Sequence, residues 1–175
     1  GATTAKIDAA LHQAFVTNPV EASINAFLFQ LGNRFVLVDT GAGDMFGPGF
    51  GGKLVESLAL AGVRPAQITD ILLTHLHDDH MGGLVHDGQI VFPNATIHVS
   101  KADLDFFSDH TNAQKAHYDI SYFDQAEKAI RPYLKAGKVH PFGTGAEVIP
   151  GVLASVHPGH TPGSTFYTLQ SGGPS

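Results

Sequence analysis

The stretch that decides both fold and chemistry is His75-Leu76-His77-Asp78-Asp79-His80, which directly follows the apolar run Ile71-Leu72-Leu73-Thr74. A short continuous apolar run of this kind predicts a strand that is buried on both faces. In an extended segment, residues i and i+2 lie on the same side, whereas on a helix they point about 200° apart. His75 and His77 can therefore share one ligand only if the segment that carries them is extended.

Asp79 continues this alternation and His80 breaks it, which predicts that the chain turns near residue 79. Such a turn sends His75 and His77 to one point, and Asp79 and His80 to a second point. The chain has no cysteine, so imidazole and carboxylate groups must supply the ligands of any metal. The spacing predicts two divalent metal ions, with zinc as the first choice and manganese, iron or cobalt as alternatives.

A second histidine cluster, HPGHTPG at residues 157–163, lies between two predicted strands. Glycine and proline fix a loop there that presents an imidazole from a strand end. We predict His160 as the third ligand of the first ion. The remaining histidines are assigned to surface or hydrogen-bonded core positions, and they are His12, His86, His98, His110, His117, His140 and His157.

Around these clusters, predicted strands alternate with predicted helices, which indicates an α/β fold formed as one domain by residues 1–175. The runs 24–30 and 35–39 predict a hairpin that turns at Gly32-Asn33. The glycine-rich segment 41–52 predicts a shaped loop of the kind that borders sites. Further strands are expected at 95–99, 139–142, 152–156 and 164–169, and helices at 101–107 and 122–134.

Composition excludes several classes of protein. Hydrophobic residues make up 43% of the chain and charged residues 15%, which excludes disorder caused by excess charge. The net charge is −6 and lysine and arginine are not clustered, so we expect no nucleic-acid partner. No apolar stretch approaches the ~18 residues of a membrane-spanning helix, so we expect no membrane association. The cellular compartment is left open.

The pattern His75, His77, Asp79, His80 resembles the His-x-His-x-Asp-His motif of the metallo-β-lactamase superfamily. The segment 39–41 resembles the Asp-Thr-Gly segment of that family, and GHTPG at 159–163 resembles its third-histidine loop. This resemblance implies an αββα sandwich and a hydrolase in which Asp79 orients a metal-bound hydroxide while it binds its own ion.

Asp39 has two interpretations. It either holds a ligand histidine through the outer ring nitrogen of that histidine, or it starts the turn before Thr40 and Gly41.

Segments such as 45–48, 92–94 and 132–138 resemble the methyl parathion hydrolase branch of phosphotriesterases and the related lactonases. The resemblance implies a small neutral ester as substrate, either an aryl phosphotriester or a lactone. It also implies a leaving-group pocket, for which the candidate lining residues are Phe46, Phe107 and Phe123. Core packing is the alternative role for these rings, above all for Phe123.

One departure from the family concerns the second ion. Relatives take a bridging aspartate and a last histidine from beyond the GHTPG loop, whereas residues 161–175 contain no Asp, Glu, His or Cys. We therefore expect a fragment that lacks the C-terminal part of the fold, with a weak second metal site and little or no steady turnover by itself. A homodimer or another chain segment could complete the site. The alternative functions are a mononuclear-iron oxygenase on the same fold and a non-catalytic, metal-stabilised binding module.

Overall fold

The computed structural model describes residues 2–20 and 22–170. The helices are α1 (Thr4–Gln13), α2 (Leu54–Leu60), α3 (Asp78–Met81), α4 (Lys101–Ser108), α5 (Thr111–Ala116) and α6 (Ile120–Lys135), with short 3-10 turns at Pro65–Gln67 and Gly82–Leu84. The strands are β1 (Phe27–Leu31), β2 (Arg34–Val38), β3 (Ile68–Leu72), β4 (Val85–His86), β5 (Gln89–Ile90), β6 (Thr96–Ser100), β7 (Val139–Phe142), β8 (Glu147–Ile149), β9 (Val152–Val156) and β10 (Thr165–Leu169).

The strands form two main sheets. The first has the order β1-β2-β3-β6-β7, in which β1 is antiparallel to β2 and the other neighbours are parallel. The second is antiparallel, with the order β10-β9-β8, and β4 and β5 form a separate two-stranded ribbon. The predicted hairpin is present, with Leu31 opposite Arg34 and a turn in which Gly32 has a φ of +60°.

The central strands of the first sheet, β2, β3 and β6, are largely buried on both faces, which explains their continuous apolar runs. Neighbouring residues of β2 and β3 point to opposite sides. Leu37 and Ile71 join the larger core beneath α2, α4 and α6, while Val36 and Leu72 pack against Ile149 and its neighbours in the second sheet. The layers therefore run helices, first sheet, second sheet, and within the described ranges no helix follows Lys135.

Some boundaries differ from those expected. β3 begins at Ile68 rather than at residue 71, because the polar residues Thr69 and Asp70 find hydrogen-bond partners inside the fold. The elements that were not predicted include α1, α5, β8 and the ribbon formed by β4 and β5. Helix α1 buries none of its residues, so no apolar periodicity marked it in the sequence.

No helix in the described part of the chain combines the length and the apolar composition that crossing a membrane requires.

Candidate metal centre

The candidate ligands meet at the carboxyl end of the parallel strands. Asp39 follows β2, and the segment that holds His75 and His77 follows β3. Adjacent parallel strands end at the same edge of a sheet, and that edge is where open α/β sheets place their ligands. His160 reaches the same edge from the loop between β9 and β10, where the backbone N–H of Thr165 donates to the carbonyl of Thr74.

His75, His77 and His160 form the first group, in which one ring nitrogen from each lies within 4.8 Å of the others. The three ring centroids are 4.6–4.7 Å apart. Nδ1 of His77 lies 3.0 Å from Nε2 of His160. The extended segment after β3 and the turn into α3 bring the first two rings to the same side, as the alternation requires.

The Nε2 atom of His75 is the feature that fits a metal ion. It is buried and has no hydrogen-bond partner, while Nδ1 of the same ring lies 3.1 Å from the Thr74 hydroxyl. A buried polar atom without a partner costs about 1–3 kcal/mol. Within residues 2–20 and 22–170, Gln125 Oε1 is the other buried side-chain atom in this condition, and it lies on α6, outside the histidine group.

The surroundings of His75 and His77 favour uncharged rings. Burial, followed by the nearby rings of His80, His77 and His160, lowers the pKa of His75 to about 3. Burial and the neighbouring His160 lower the pKa of His77 to about 4. Both imidazoles are therefore neutral at pH 7, which is the form that binds a metal.

A second group shares His75 and adds Asp79 and His80, again with ligand atoms within 4.8 Å of one another. Nε2 of His80 lies 3.4 Å from Oδ2 of Asp79. Nδ1 of His80 lies 2.8 Å from Oδ2 of Asp39. Burial lowers the pKa of His80, but the hydrogen bond and the negative charge of Asp39 outweigh that effect and raise it above its ordinary value.

The Asp39 carboxylate is itself held in place, because it accepts hydrogen bonds from the backbone N–H of Thr74 at 2.8 Å and from its hydroxyl at 2.7 Å.

Close backbone packing fixes the position of His80. The backbone N–H of Thr40 donates to the carbonyl of His80 at 2.7 Å. A Cβ atom built on Gly82 would lie 2.2 Å from the Ala42 carbonyl oxygen, and one built on Gly83 would lie 2.2 Å from that of Thr40. The two glycines therefore allow the loop after β2 to press against the end of α3.

Asp103 links the histidine-bearing segments, and no sequence pattern indicated this role. This carboxylate on α4 is fully buried. It accepts hydrogen bonds from the backbone N–H of Leu76 at 3.1 Å, from the Thr161 hydroxyl at 2.9 Å and from the backbone N–H of Gly163 at 2.6 Å. Burial raises its pKa despite these donors. In the sequence, an acidic residue in a helical pattern indicates a solvent-facing side chain.

A third group was also missed. Asp44, His86 and Asp87 place ligand atoms within 4.8 Å of one another, but all three residues are exposed. The nearest nitrogen–oxygen distances are 3.6 Å, both from His86. The other histidines that the sequence assigned to surface or hydrogen-bonded core positions include His98, which is buried and hydrogen-bonded to Asp70, and His157, which is hydrogen-bonded to Ser155.

The three phenylalanines proposed for the pocket lie in different surroundings. Phe123 is 0% exposed and Phe107 is 1% exposed, and both belong to the core beneath the first sheet. The Phe107 ring nevertheless contacts the His77 ring edge-on, with centroids 5.9 Å apart. Phe46, on the glycine-rich loop, is 42% exposed. Of the three, Phe46 has surface to offer a ligand, and the pocket itself stays a prediction.

Comparison with known proteins identifies the family. The sequence profile of the metallo-beta-lactamase superfamily matches residues 20–173. The chain belongs to this superfamily. Its layers of helices and two sheets are those of the metallo-β-lactamase fold, so the predicted fold class is confirmed.

Solved structures and a curated relative agree with this assignment. A hydrolase of the superfamily called AbOPH is 33% identical, with a TM-score of 0.86, covering 99% of this chain and 61% of that chain. AidC, a dizinc quorum-quenching lactonase, is 31% identical, with a TM-score of 0.77, covering 98% of this chain and 60% of that chain. The uncharacterized protein YobT of Bacillus subtilis is 31% identical over 152 residues, covering 85% of this chain and 58% of that protein. The chain thus spans about three fifths of the length of these relatives.

Proposed function

We propose that His75, His77 and His160 bind a divalent metal ion, with zinc as the first choice, and that the protein is a metal-dependent hydrolase of ester-type bonds. The observation that carries this proposal is the unpartnered Nε2 atom of His75. It is buried beside the imidazoles of His77 and His160, and one ring nitrogen from each converges on the same point, so a metal ion is the ligand that would satisfy all three together.

A divalent ion bound here would supply Lewis acidity toward a substrate oxygen and would lower the pKa of water from ~15.7 toward ~7. Two carboxylates of the chain would have different roles beside this ion. Asp39 keeps a proton on Nδ1 of His80, which leaves Nε2 of that ring free as a donor atom. The Asp79 carboxylate, 37% exposed and 3.4 Å from His80, is placed to accept a proton from water and to orient it.

The second group should hold an ion less tightly than the first. It has Asp79 and His80 besides the shared His75, and residues 161–175 contain no further His, Asp, Glu or Cys. We therefore propose that the first site fills first, and that hydrolysis by these 175 residues is slow.

The proposed substrate is a small neutral ester. AidC is described as a lactonase, which supports a lactone, and AbOPH is described as a hydrolase, which supports hydrolysis in general. The resemblance of the sequence to methyl parathion hydrolase supports an aryl phosphotriester as the second substrate. A net charge of −6 disfavours strongly anionic substrates.

The test is hydrolysis of N-hexanoyl-homoserine lactone and of a 4-nitrophenyl phosphotriester by the chain, first stripped of metal and then supplied with zinc. We expect slow, zinc-dependent turnover of at least one substrate that is lost in His77→Ala and retained in the matched control His86→Ala. Zinc binding without hydrolysis of either substrate, even after addition of a C-terminal segment that supplies the bridging aspartate and last histidine of the family, would contradict the hydrolase and favour the binding module. Dioxygen consumption with iron would favour the oxygenase.

A further inference from the structure

Tyr118 contacts the candidate metal centre without belonging to any of its ligand groups. Its hydroxyl oxygen lies 2.8 Å from Nε2 of His77 and 3.3 Å from the carbonyl oxygen of His160. It is therefore bonded to two of the three residues of the first group, which come from segments 83 residues apart. We propose that Tyr118 is a positioning residue that selects Nδ1 of His77 as the metal-binding nitrogen.

The number of protons on these groups sets the direction of each hydrogen bond. The His160 carbonyl has no proton, so in that hydrogen bond the Tyr118 hydroxyl must be the donor. A phenol has one proton, and once it is used the oxygen can only accept from its other partner. Nε2 of His77 must then carry the proton and donate to Tyr118. In a neutral imidazole this leaves Nδ1 without a proton.

The bare Nδ1 atom is the nitrogen that faces the rest of the first group. It lies 3.0 Å from Nε2 of His160, on the opposite edge of the ring from Tyr118. The same hydroxyl ties the side chain of His77 to the backbone of His160. One tyrosine thus sets both the tautomer of one ligand and its distance from another, before any ion is bound.

The Tyr118 ring is held by the fold. It follows α5, and its backbone N–H donates to the carbonyl of Ala113 at 2.8 Å. The ring packs against Phe106 and Phe107, at centroid distances of 5.8 and 6.0 Å. The rings limit the positions that the hydroxyl can take.

Tyr122 provides a matched control. Its ring lies 4.8 Å from that of His77, closer than the 6.0 Å of Tyr118, yet no hydrogen bond joins Tyr122 to His77 in the described residues. Tyr122→Phe removes a hydroxyl from an aromatic neighbour of the same histidine, while Tyr118→Phe removes the hydroxyl that sets the tautomer.

The inference rests on the metal site proposed above, so its test has a readout that needs no metal. Nitrogen-15 NMR of the metal-free protein reports which ring nitrogen of His77 carries the proton. We expect the Nε2–H form in the wild type and in Tyr122→Phe, and a loss of that preference in Tyr118→Phe. We also expect Tyr118→Phe to weaken zinc binding by about 10–100-fold, the usual effect of removing the partner of a ligand histidine.

Three outcomes are separable. A wild type with the proton on Nδ1 of His77 would overturn the inference, as would Tyr118→Phe binding zinc as tightly as Tyr122→Phe. A wild type that shows the Nε2–H form but binds no zinc would support the tautomer assignment and contradict the proposed function. Circular dichroism of each variant checks that the fold is retained.

Discussion

Two buried polar clusters lie close to β3, and they differ in one respect. Within the strand, the Asp70 carboxylate accepts hydrogen bonds from Arg34 at 2.8 Å, Thr69 at 2.8 Å and His98 at 3.0 Å. Just beyond the strand, Nε2 of His75 is also buried, but it has no hydrogen-bond partner. The first cluster is satisfied by the protein alone, whereas the second becomes satisfied only when something is added.

This difference separates structural from functional burial. His98 and His75 are both buried histidines, 5% and 7% exposed, so burial by itself does not distinguish them. The exposed group around His86 supplies the opposite case, because its ligand atoms converge without burial. Within the described residues, convergence and an unsatisfied buried atom occur together at the two groups that share His75, which is why the proposed site lies there and not at His86.

The largest effect is expected from removing one ligand of the unsatisfied cluster. His77→Ala leaves two imidazoles for the first ion, so zinc affinity should fall by on the order of 1,000-fold or more, equivalent to at least about 4 kcal/mol. Isothermal titration with zinc measures it. His86→Ala, which removes a histidine of the exposed group, should change the affinity less than about twofold. Equal losses in the two variants would erase the distinction between the clusters.

The cluster around Asp70 should affect the stability of the fold and leave zinc binding unchanged. Asp70→Asn removes a buried charge that accepts three hydrogen bonds, so chemical denaturation should show a loss of about 2–3 kcal/mol in the free energy of unfolding. Zinc affinity should stay within about twofold of the wild type. A large loss of zinc binding with little change in stability would reverse the roles assigned to the two clusters.

The pH dependence of that stability has a definite sign. Burial raises the pKa of Asp70, but the hydrogen bonds from His98, Thr69 and Arg34 outweigh that effect and lower the pKa from 3.8 to about 2. The contribution of the Asp70 carboxylate to the free energy of unfolding is therefore fully present above pH 3.8 and is lost as the pH falls through about 2. The difference in stability between wild type and Asp70→Asn should narrow over that interval. A stability difference between the two proteins that widens as the pH falls would contradict the lowered pKa of Asp70.

A smaller effect is expected in the His160 loop, where two glycines allow a matched comparison. A Cβ atom at Gly163 would lie 2.5–2.8 Å from atoms of Ser100 and Asp103, whereas one at Gly159 would meet nothing within 4 Å. Gly163→Ala should cost about 1–3 kcal/mol of stability by overpacking and should also weaken zinc binding, because Asp103 must shift. Gly159→Ala should be neutral within about 0.5 kcal/mol. Thermal unfolding with and without zinc measures both effects.

The sequence predicted the parts of the fold and the site that depend on local pattern. The alternation of His75 and His77 after an apolar run required an extended segment, and the structure has one. The glycine and proline residues around His160 indicated a loop at a strand end, which is where it lies. The family profile confirms the resemblance that these patterns suggested.

Groups that act through long-range contacts were not visible in the sequence. Asp103 lies 58 residues from Thr161 and 27 from Leu76, so neither spacing nor periodicity connects them. Tyr118 likewise lies 41 residues from His77. The start of β3 was not predicted for a related reason. Aspartate is typical of a protein surface, and the sequence does not show that Arg34 and His98 on the neighbouring strands form hydrogen bonds with Asp70.

An anomalous-scattering map, collected at the zinc absorption edge from crystals of the zinc-loaded chain, would locate the bound ion. We expect the strongest peak at about 2.0–2.1 Å from a ring nitrogen of each of His75, His77 and His160. In that map Nε2 of His75 would acquire the partner that it lacks. A strongest peak beside Asp44, His86 and Asp87, with Nε2 of His75 still unpartnered, would contradict this expectation.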